Sequence, residues 1–157
     1  MEMINPSNGR ELVLERLLDA PRGALWRCWT EPELLKQWFC PKPWTVSHAE
    51  MDVRPGGSSM VVMRSPEGEE FPNPGIFLEV VPQKKLVMTD AYTSAWQPSQ
   101  KPFMTTVITF EDEGDKTRYV ARCFHWSEED RVQHEAMGFH DGWGQAASQL
   151  EELARTV

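Results

Sequence analysis

The histidines of the C-terminal third are the first residues whose spacing can be tested for chemistry. His134 and His140 are six positions apart, so on one helix they point about 120° apart and cannot bind one metal ion together. His48 and His125 fall on predicted strands far off in the sequence, and no group has the spacing of zinc ligands. We therefore predict no metal site, no cofactor and no catalytic residue.

Two other segments carry residue types that can do chemistry. Segment 54–57, Arg-Pro-Gly-Gly, lacks the following helix and the further glycines of a phosphate-binding loop. It is more typical of a turn between strands in which glycine supplies a positive φ. Cys40 has no histidine near it in sequence to lower its pKa, so an inert thiol is expected.

The element that must position any site is the C-terminal segment, residues 127–157. At about 100° per residue, one face of a helix is apolar and the opposite face is charged. Ser127 before three acidic residues is typical of an N-cap. Gly138 allows a kink, because glycine in a helix interior costs about 1 kcal/mol. The apolar face consists of Val132, Ala136, Phe139, Trp143, Ala146, Ala147, Leu150, Leu153 and Ala154.

The rest of the chain is mostly strand-like, so the apolar face is expected to cover a sheet. Helices are predicted at 21–29 and 30–39, each with a proline near its start. Proline and glycine turns separate the strands, and antiparallel hairpins dominate, which predicts an α+β architecture. The predicted strands are 10–18, 44–53, 58–64, 75–81, 86–93, 104–111 and 117–126. Residues 69–74, which contain Pro72 and Pro74, are predicted to be an edge strand or a loop.

Length, charge and cysteine content limit the number of domains, the kinds of binding partner and the cellular compartment that are compatible with this sequence. The 157 residues suit a single domain spanning 1–157, with residues 1–9 as a tail without a secretory pattern. A formal net charge of −8 argues against nucleic acid and anionic membranes as partners, and no apolar run is long enough for a membrane span. Three widely spaced cysteines predict no disulfide framework and favour a cytoplasmic location.

The order of elements and several local motifs resemble the START-like (SRPBCC, Bet v 1-like) superfamily, and more narrowly the activator of Hsp90 ATPase homologue family. Segment 52–57, Asp-Val-Arg-Pro-Gly-Gly, is the most specific of these motifs, and the resemblance extends over about residues 12–153. Further motifs are Asp19-Ala20-Pro21 with Trp26; Thr30 to Leu34 with Trp38 and Phe39; Gly75, Phe77 and Glu79 to Pro82 with Leu86 and Val87; Thr109 to Glu111 with Thr117; and His134, Glu135, Gly138, Phe139, Gly142 and Trp143.

The resemblance implies a helix-grip fold, in which a curved antiparallel sheet of about six strands wraps the C-terminal helix around a deep cavity. Seven Trp and eight Met residues are ordinary core filler or the lining of an adaptable apolar cavity. His140, at the edge of the apolar helix face, suits a structural histidine but is retained as a candidate. The candidate cavity residues are Trp38, Phe39, Trp44, Met63, Phe77, Met88, Trp96, Phe103, Met137, His140 and Trp143.

Three functions are compatible with this resemblance. The first is binding of a hydrophobic small molecule or lipid-like ligand in the cavity, without catalysis. The second is an enzyme of the polyketide cyclase, aromatase or hydrolase kind, for which His140, Tyr92 and Arg122 are the polar candidates. The third is interaction with a chaperone, after which the family is named. A homodimer suits a small acidic domain, because twofold homo-oligomers are common.

Overall fold

A computed structural model describes residues 9–157, so nearly all of the predicted tail lies outside the described residues. The chain folds as one strand, two short helices, a run of strands and two C-terminal helices. The helices are α1 (Arg22–Thr30), α2 (Pro32–Leu35), α3 (Glu128–Ala136) and α4 (Phe139–Ala154). The strands are β1 (Glu11–Leu18), β2 (Thr45–Met51), β3 (Ser58–Arg64), β4 (Glu70–Val81), β5 (Lys85–Thr89), β6 (Tyr92–Ser94), β7 (Gln97–Pro98), β8 (Met104–Glu113) and β9 (Lys116–His125).

Seven of the strands form one antiparallel sheet in the order β1-β9-β8-β5-β4-β3-β2, and β6 pairs with β7 in a separate ribbon. The sheet is curved, and α4 lies against it and contacts α1 and β1. This is the α+β helix-grip architecture that the resemblance implied, with seven strands in the main sheet rather than about six.

The C-terminal segment differs from the single helix predicted over 127–157. Ser127 caps α3 as expected, because its Oγ accepts a hydrogen bond from the backbone N–H of Asp130 at 3.0 Å. Gly138 then adopts a φ of 95° and separates α3 from α4. The break turns α3 away from the predicted face, so Val132 and Ala136 are exposed, with Val132 50% exposed. In α4 the predicted face holds, and Leu150 and Ala154 are buried.

Strand β4 begins at Glu70, so the segment before Gly75 is a strand and not a loop, despite Pro72 and Pro74. Its first half pairs with β3, and its pairing with β5 begins only at Ile76. Over this first half β4 has no paired strand of the main sheet on the β5 side, and such a position tolerates residues that lack an N–H donor. The predicted strand 86–93 ends at Thr89, because the chain leaves the sheet there for the β6–β7 ribbon. Helix α2 is shorter than the predicted 30–39.

The Arg-Pro-Gly-Gly segment forms a tight turn between β2 and β3. Gly56 has a φ of 82°, and its N–H donates to the carbonyl of Phe77 on β4. A Cβ on Gly57 would lie 1.9 Å from the carbonyl oxygen of Asp52, so no larger residue fits there without a backbone shift. The exposed Arg54 pairs with Asp52 at 2.8 Å. The segment is therefore a structural turn that joins three strands.

Two glycine-to-alanine substitutions test this packing. Gly57→Ala should lower the free energy of unfolding by about 1–3 kcal/mol, because the Asp52 carbonyl must move. Gly142→Ala, inside α4 with its nearest neighbouring atom 4.0 Å from the new Cβ, should raise it by about 0.5–1 kcal/mol. Urea unfolding monitored by circular dichroism measures both values. Equal effects of the two substitutions would contradict the assigned turn geometry.

Candidate functional site

A cavity of about 570 Å³ lies between the sheet, α4 and the segment that follows α2. The helix side consists largely of Phe139, Trp143, Ala146 and Ala147. The small alanine side chains leave space between the helix axis and the sheet. The sheet side includes Met51, Val61, Met63, Met88, Met104, Thr106 and Tyr119. The third side, formed by α1, α2 and the segment that follows them, includes Trp29, Leu35, Trp38, Phe39, Cys40 and Trp44.

The cavity lining is rich in tryptophan and methionine, the two residue types that are unusually frequent in this sequence. Four of the seven Trp residues and five of the eight Met residues line the cavity. Aromatic rings supply large apolar surfaces, and methionine side chains adapt to irregular shapes. Trp29, Trp38 and Phe39 pack edge to face, with ring centroids 4.9–5.9 Å apart. The cavity therefore has one wall of mutually packed aromatic rings and a sheet side that contains four methionine side chains.

A glutamine on α4 fixes the third wall to the helix. The Nε2 of Gln149 donates to the backbone carbonyls of Trp38 and Cys40, both at 2.8 Å. Its Oε1 accepts from the backbone N–H of Lys42 at 3.0 Å. These bonds satisfy three backbone groups of a segment that has no regular structure of its own. The segment carrying Trp38 and Trp44 is thus positioned by α4.

The structure places seven of the eleven candidate residues around the cavity, namely Trp38, Phe39, Trp44, Met63, Met88, Met137 and Trp143. The other four lie elsewhere. Phe77 is buried in the main core at a bulge of β4. Trp96 is 86% exposed in the turn of the ribbon. Phe103 packs on the rings of His125 and His134. The side chain of His140 is 55% exposed and lies beside Glu135.

The polar residues suggested for an enzyme lie outside the cavity lining. His140 is on the outer side of α4, and Tyr92 lies in the short ribbon. Arg122 is on the face of β9 opposite Tyr119, where its Nε pairs with Glu11 at 2.6 Å. His140 lies in α4 about 100° around the helix from Phe139, at the edge of the apolar face, and this position leaves its side chain mostly exposed.

Polar groups that the sequence analysis missed do reach the cavity. His134 lines it, and its Nδ1 lies 2.8 Å from the Nε2 of His125. The Nδ1 of His125 lies 2.8 Å from the carbonyl oxygen of Arg10. Burial, with a smaller effect of His125, lowers the pKa of His134 to about 4. The available signal was that His125 lies near the end of the predicted strand 117–126, just before the predicted helix that carries His134.

Asp90 and Tyr119 are the other notable polar groups of the lining. Asp90 Oδ1 accepts hydrogen bonds from the backbone N–H groups of Phe103 at 2.8 Å and Met104 at 3.1 Å. Burial raises the pKa of its carboxyl group. The Tyr119 hydroxyl accepts from the indole of Trp29 at 3.2 Å, and burial raises the pKa of that hydroxyl.

None of the cysteines is in a reactive environment. Cys28, Cys40 and Cys123 are free and buried. Burial raises the pKa of Cys28 and Cys40 to about 11 and that of Cys123 to about 12. Thiols with raised pKa values are poor nucleophiles near neutral pH. Among residues 9–157, no cluster of three His, Cys, Asp or Glu side chains is arranged to bind a metal ion.

Comparison with known proteins agrees with this architecture. The family model described as "Activator of Hsp90 ATPase homolog 1-like protein" matches residues 19–155. The chain belongs to this family. A crystal structure of a Nitrosomonas europaea protein is 45% identical, with a TM-score of 0.93 over 96% of this chain and 97% of that one. No protein with curated annotation matches.

More distant structures share the fold of this family member. A Mycobacterium smegmatis protein is 22% identical, with a TM-score of 0.79 over 98% of this chain and 95% of that one. An AHSA1-like protein from Aeromonas hydrophila is 16% identical, with a TM-score of 0.72 over 93% of this chain and 92% of that one. In the described part of the chain, no helix has the length and apolar character required to cross a bilayer.

The lowered pKa of His134 predicts a specific pH dependence of stability. Between about pH 6.5 and pH 4 the unfolded chain binds a proton on this ring that the folded chain does not bind. The free energy of unfolding should therefore fall as the pH falls through this range. In His134→Gln this contribution is absent, so urea unfolding at pH 7 and pH 4.5 should show a smaller loss than in the wild type. An equal loss in both proteins would contradict the assignment.

Proposed function

We propose that this protein binds a hydrophobic small molecule or lipid-like ligand in the cavity between the sheet and α4. The observation that carries the proposal is the cavity itself, about 570 Å³ in volume and lined mainly by Trp, Phe, Met and Ala side chains. Ligand sites are typically concave, mostly apolar, and contain a few polar groups that fix orientation. A volume of this size falls within the usual range for such sites, roughly 300–1,000 Å³.

Entry to the cavity would be near the junction of α3 and α4. Met137 lines the cavity and is 72% exposed, so it lies at the rim. Lys42 and Trp44, on the segment held by Gln149, also line the cavity, and Trp44 packs on Phe71 with ring centroids 5.7 Å apart. A flexible thioether and an aromatic pair at the rim suit the passage of an apolar ligand.

We place this activity in the cytoplasm, where free, buried cysteines remain reduced. A chaperone partner, which the family name suggests, has less support in the described surface. Three of the large exposed apolar residues, Leu78, Trp96 and Trp126, lie apart along the chain, on β4, between β6 and β7, and after β9. The enzyme alternative has less support because its polar candidates, His140, Tyr92 and Arg122, lie outside the cavity lining. Ligand binding is therefore the function that we propose.

Binding of a neutral apolar fluorophore, N-phenyl-1-naphthylamine, tests the proposed function. The wild type should bind it saturably at one site, with an increase in fluorescence. Ala146→Phe places a ring inside the cavity and should weaken binding by about tenfold or more, equivalent to about 1.4 kcal/mol. Ser148→Phe, on the exposed side of α4, is the matched control and should bind like the wild type. Absence of saturable binding to the wild type, or equal losses in the two variants, would contradict the proposal.

A further inference from the structure

The pair His125–His134 determines what kind of polar group the cavity presents. A backbone carbonyl can only accept a hydrogen bond, so the Nδ1 of His125 must donate to the carbonyl of Arg10. In the neutral ring the Nε2 of His125 is then an acceptor, and the Nδ1 of His134 must donate to it. The Nε2 of neutral His134 is therefore left with a lone pair and no proton. Its orientation is fixed by a chain of two hydrogen bonds.

The rings around His134 hold this arrangement in place. Phe103 packs on both histidine rings, with centroids 5.3 Å from each, and Phe139 packs on His134 at 5.1 Å. Among residues 9–157, the only hydrogen bond of the His134 ring is the one to His125. The Nε2 atom thus has no protein partner in the described chain, although His134 lines the cavity.

We propose that His134 Nε2 accepts a hydrogen bond from a hydroxyl group of the bound ligand, so that the preferred ligand class is an apolar alcohol or phenol. This inference rests on the proposed function, because it names the ligand class of the same cavity. A hydroxyl group satisfies the lone pair, whereas an ether or hydrocarbon at that position would leave it buried without a partner. Leaving a buried acceptor unpaired is unfavourable, which makes the hydroxyl a determinant of specificity.

The charged residue of the lining that lies on the His134 side disfavours an anionic head group there. Lys42 lines the exposed rim, whereas Asp90 accepts hydrogen bonds from the backbone N–H groups of Phe103, whose ring packs on His134, and of Met104. A ligand carboxylate near His134 has no proton to donate to the Nε2 lone pair, and the negative charge of Asp90 would repel it. A neutral hydroxyl has the proton and lacks the charge. The neutral donor is therefore favoured over a fatty-acid headgroup.

Three ligands that differ only in their head group test the inference. Dissociation constants for 4-nonylphenol, 4-nonylanisole and 4-nonylbenzoate are measured by displacement of N-phenyl-1-naphthylamine. The wild type should bind the phenol about three- to tenfold more tightly than its methyl ether, since one neutral hydrogen bond distinguishes them. The benzoate should bind more weakly than the phenol. This comparison requires no substitution and is independent of the folding of any variant.

Substitutions then assign the preference to His134. His134→Phe keeps an aromatic ring and should reduce the ratio of ether to phenol dissociation constants to about one. His134→Gln, which can donate to His125 and present its carbonyl oxygen to the cavity, should retain part of the preference. His140→Phe, at the exposed site nearby, should leave the ratio unchanged.

The outcomes separate this inference from the proposed function. Equal binding of phenol and ether by the wild type, or tighter binding of the benzoate, would overturn the hydroxyl assignment while leaving cavity binding intact. A preference that persists in His134→Phe would overturn the role of His134. Failure of the wild type to bind all three compounds and the fluorophore would instead contradict the proposed function.

Discussion

The contact between α4 and the sheet is the constraint on which the site depends. Seven strands about 4.8 Å apart make a sheet about 29 Å across, whereas a helix with its side chains is about 10–12 Å wide. Helix α4 contacts α1 and β1 and buries Leu150 and Ala154 completely or nearly so. The rest of the concave face must be covered by other groups or remain open. Small residues on the facing side of α4, Ala146 and Ala147, leave it open.

The positions of the polar groups in the cavity are set by β9 and by the turn between α3 and α4. At Gly138 the chain turns, and α3 contacts the end of β9, which brings His134 to His125. Tyr119 and His125 lie on the same face of β9, six residues or about 20 Å apart along the strand. The cavity therefore has a hydroxyl near one end and an imidazole near the other, with apolar rings and thioethers between them. This arrangement would orient a ligand along its length.

Some of this arrangement could be predicted from the sequence, because it depends on local patterns. The order of elements along the chain, the cap at Ser127 and the apolar face of residues 139–154 follow from periodicity and turn residues. The break at Gly138 has non-local consequences: it exposes Val132 and places His134 beside His125 in the cavity lining. Bulges such as that at Phe77 change which strand residues face the helix, and alternation alone does not reveal them.

The most direct test of ligand binding in this cavity uses the seven tryptophan side chains as reporters. The indole N–H signals of the 15N-labelled protein are followed by NMR while 4-nonylphenol is added. Trp29, Trp38, Trp44 and Trp143 line the cavity, whereas Trp26, Trp96 and Trp126 lie outside its lining. The account predicts saturable shifts of the first four signals and little change in the other three. Shifts confined to Trp96 and Trp126, or no shifts at all, would contradict it.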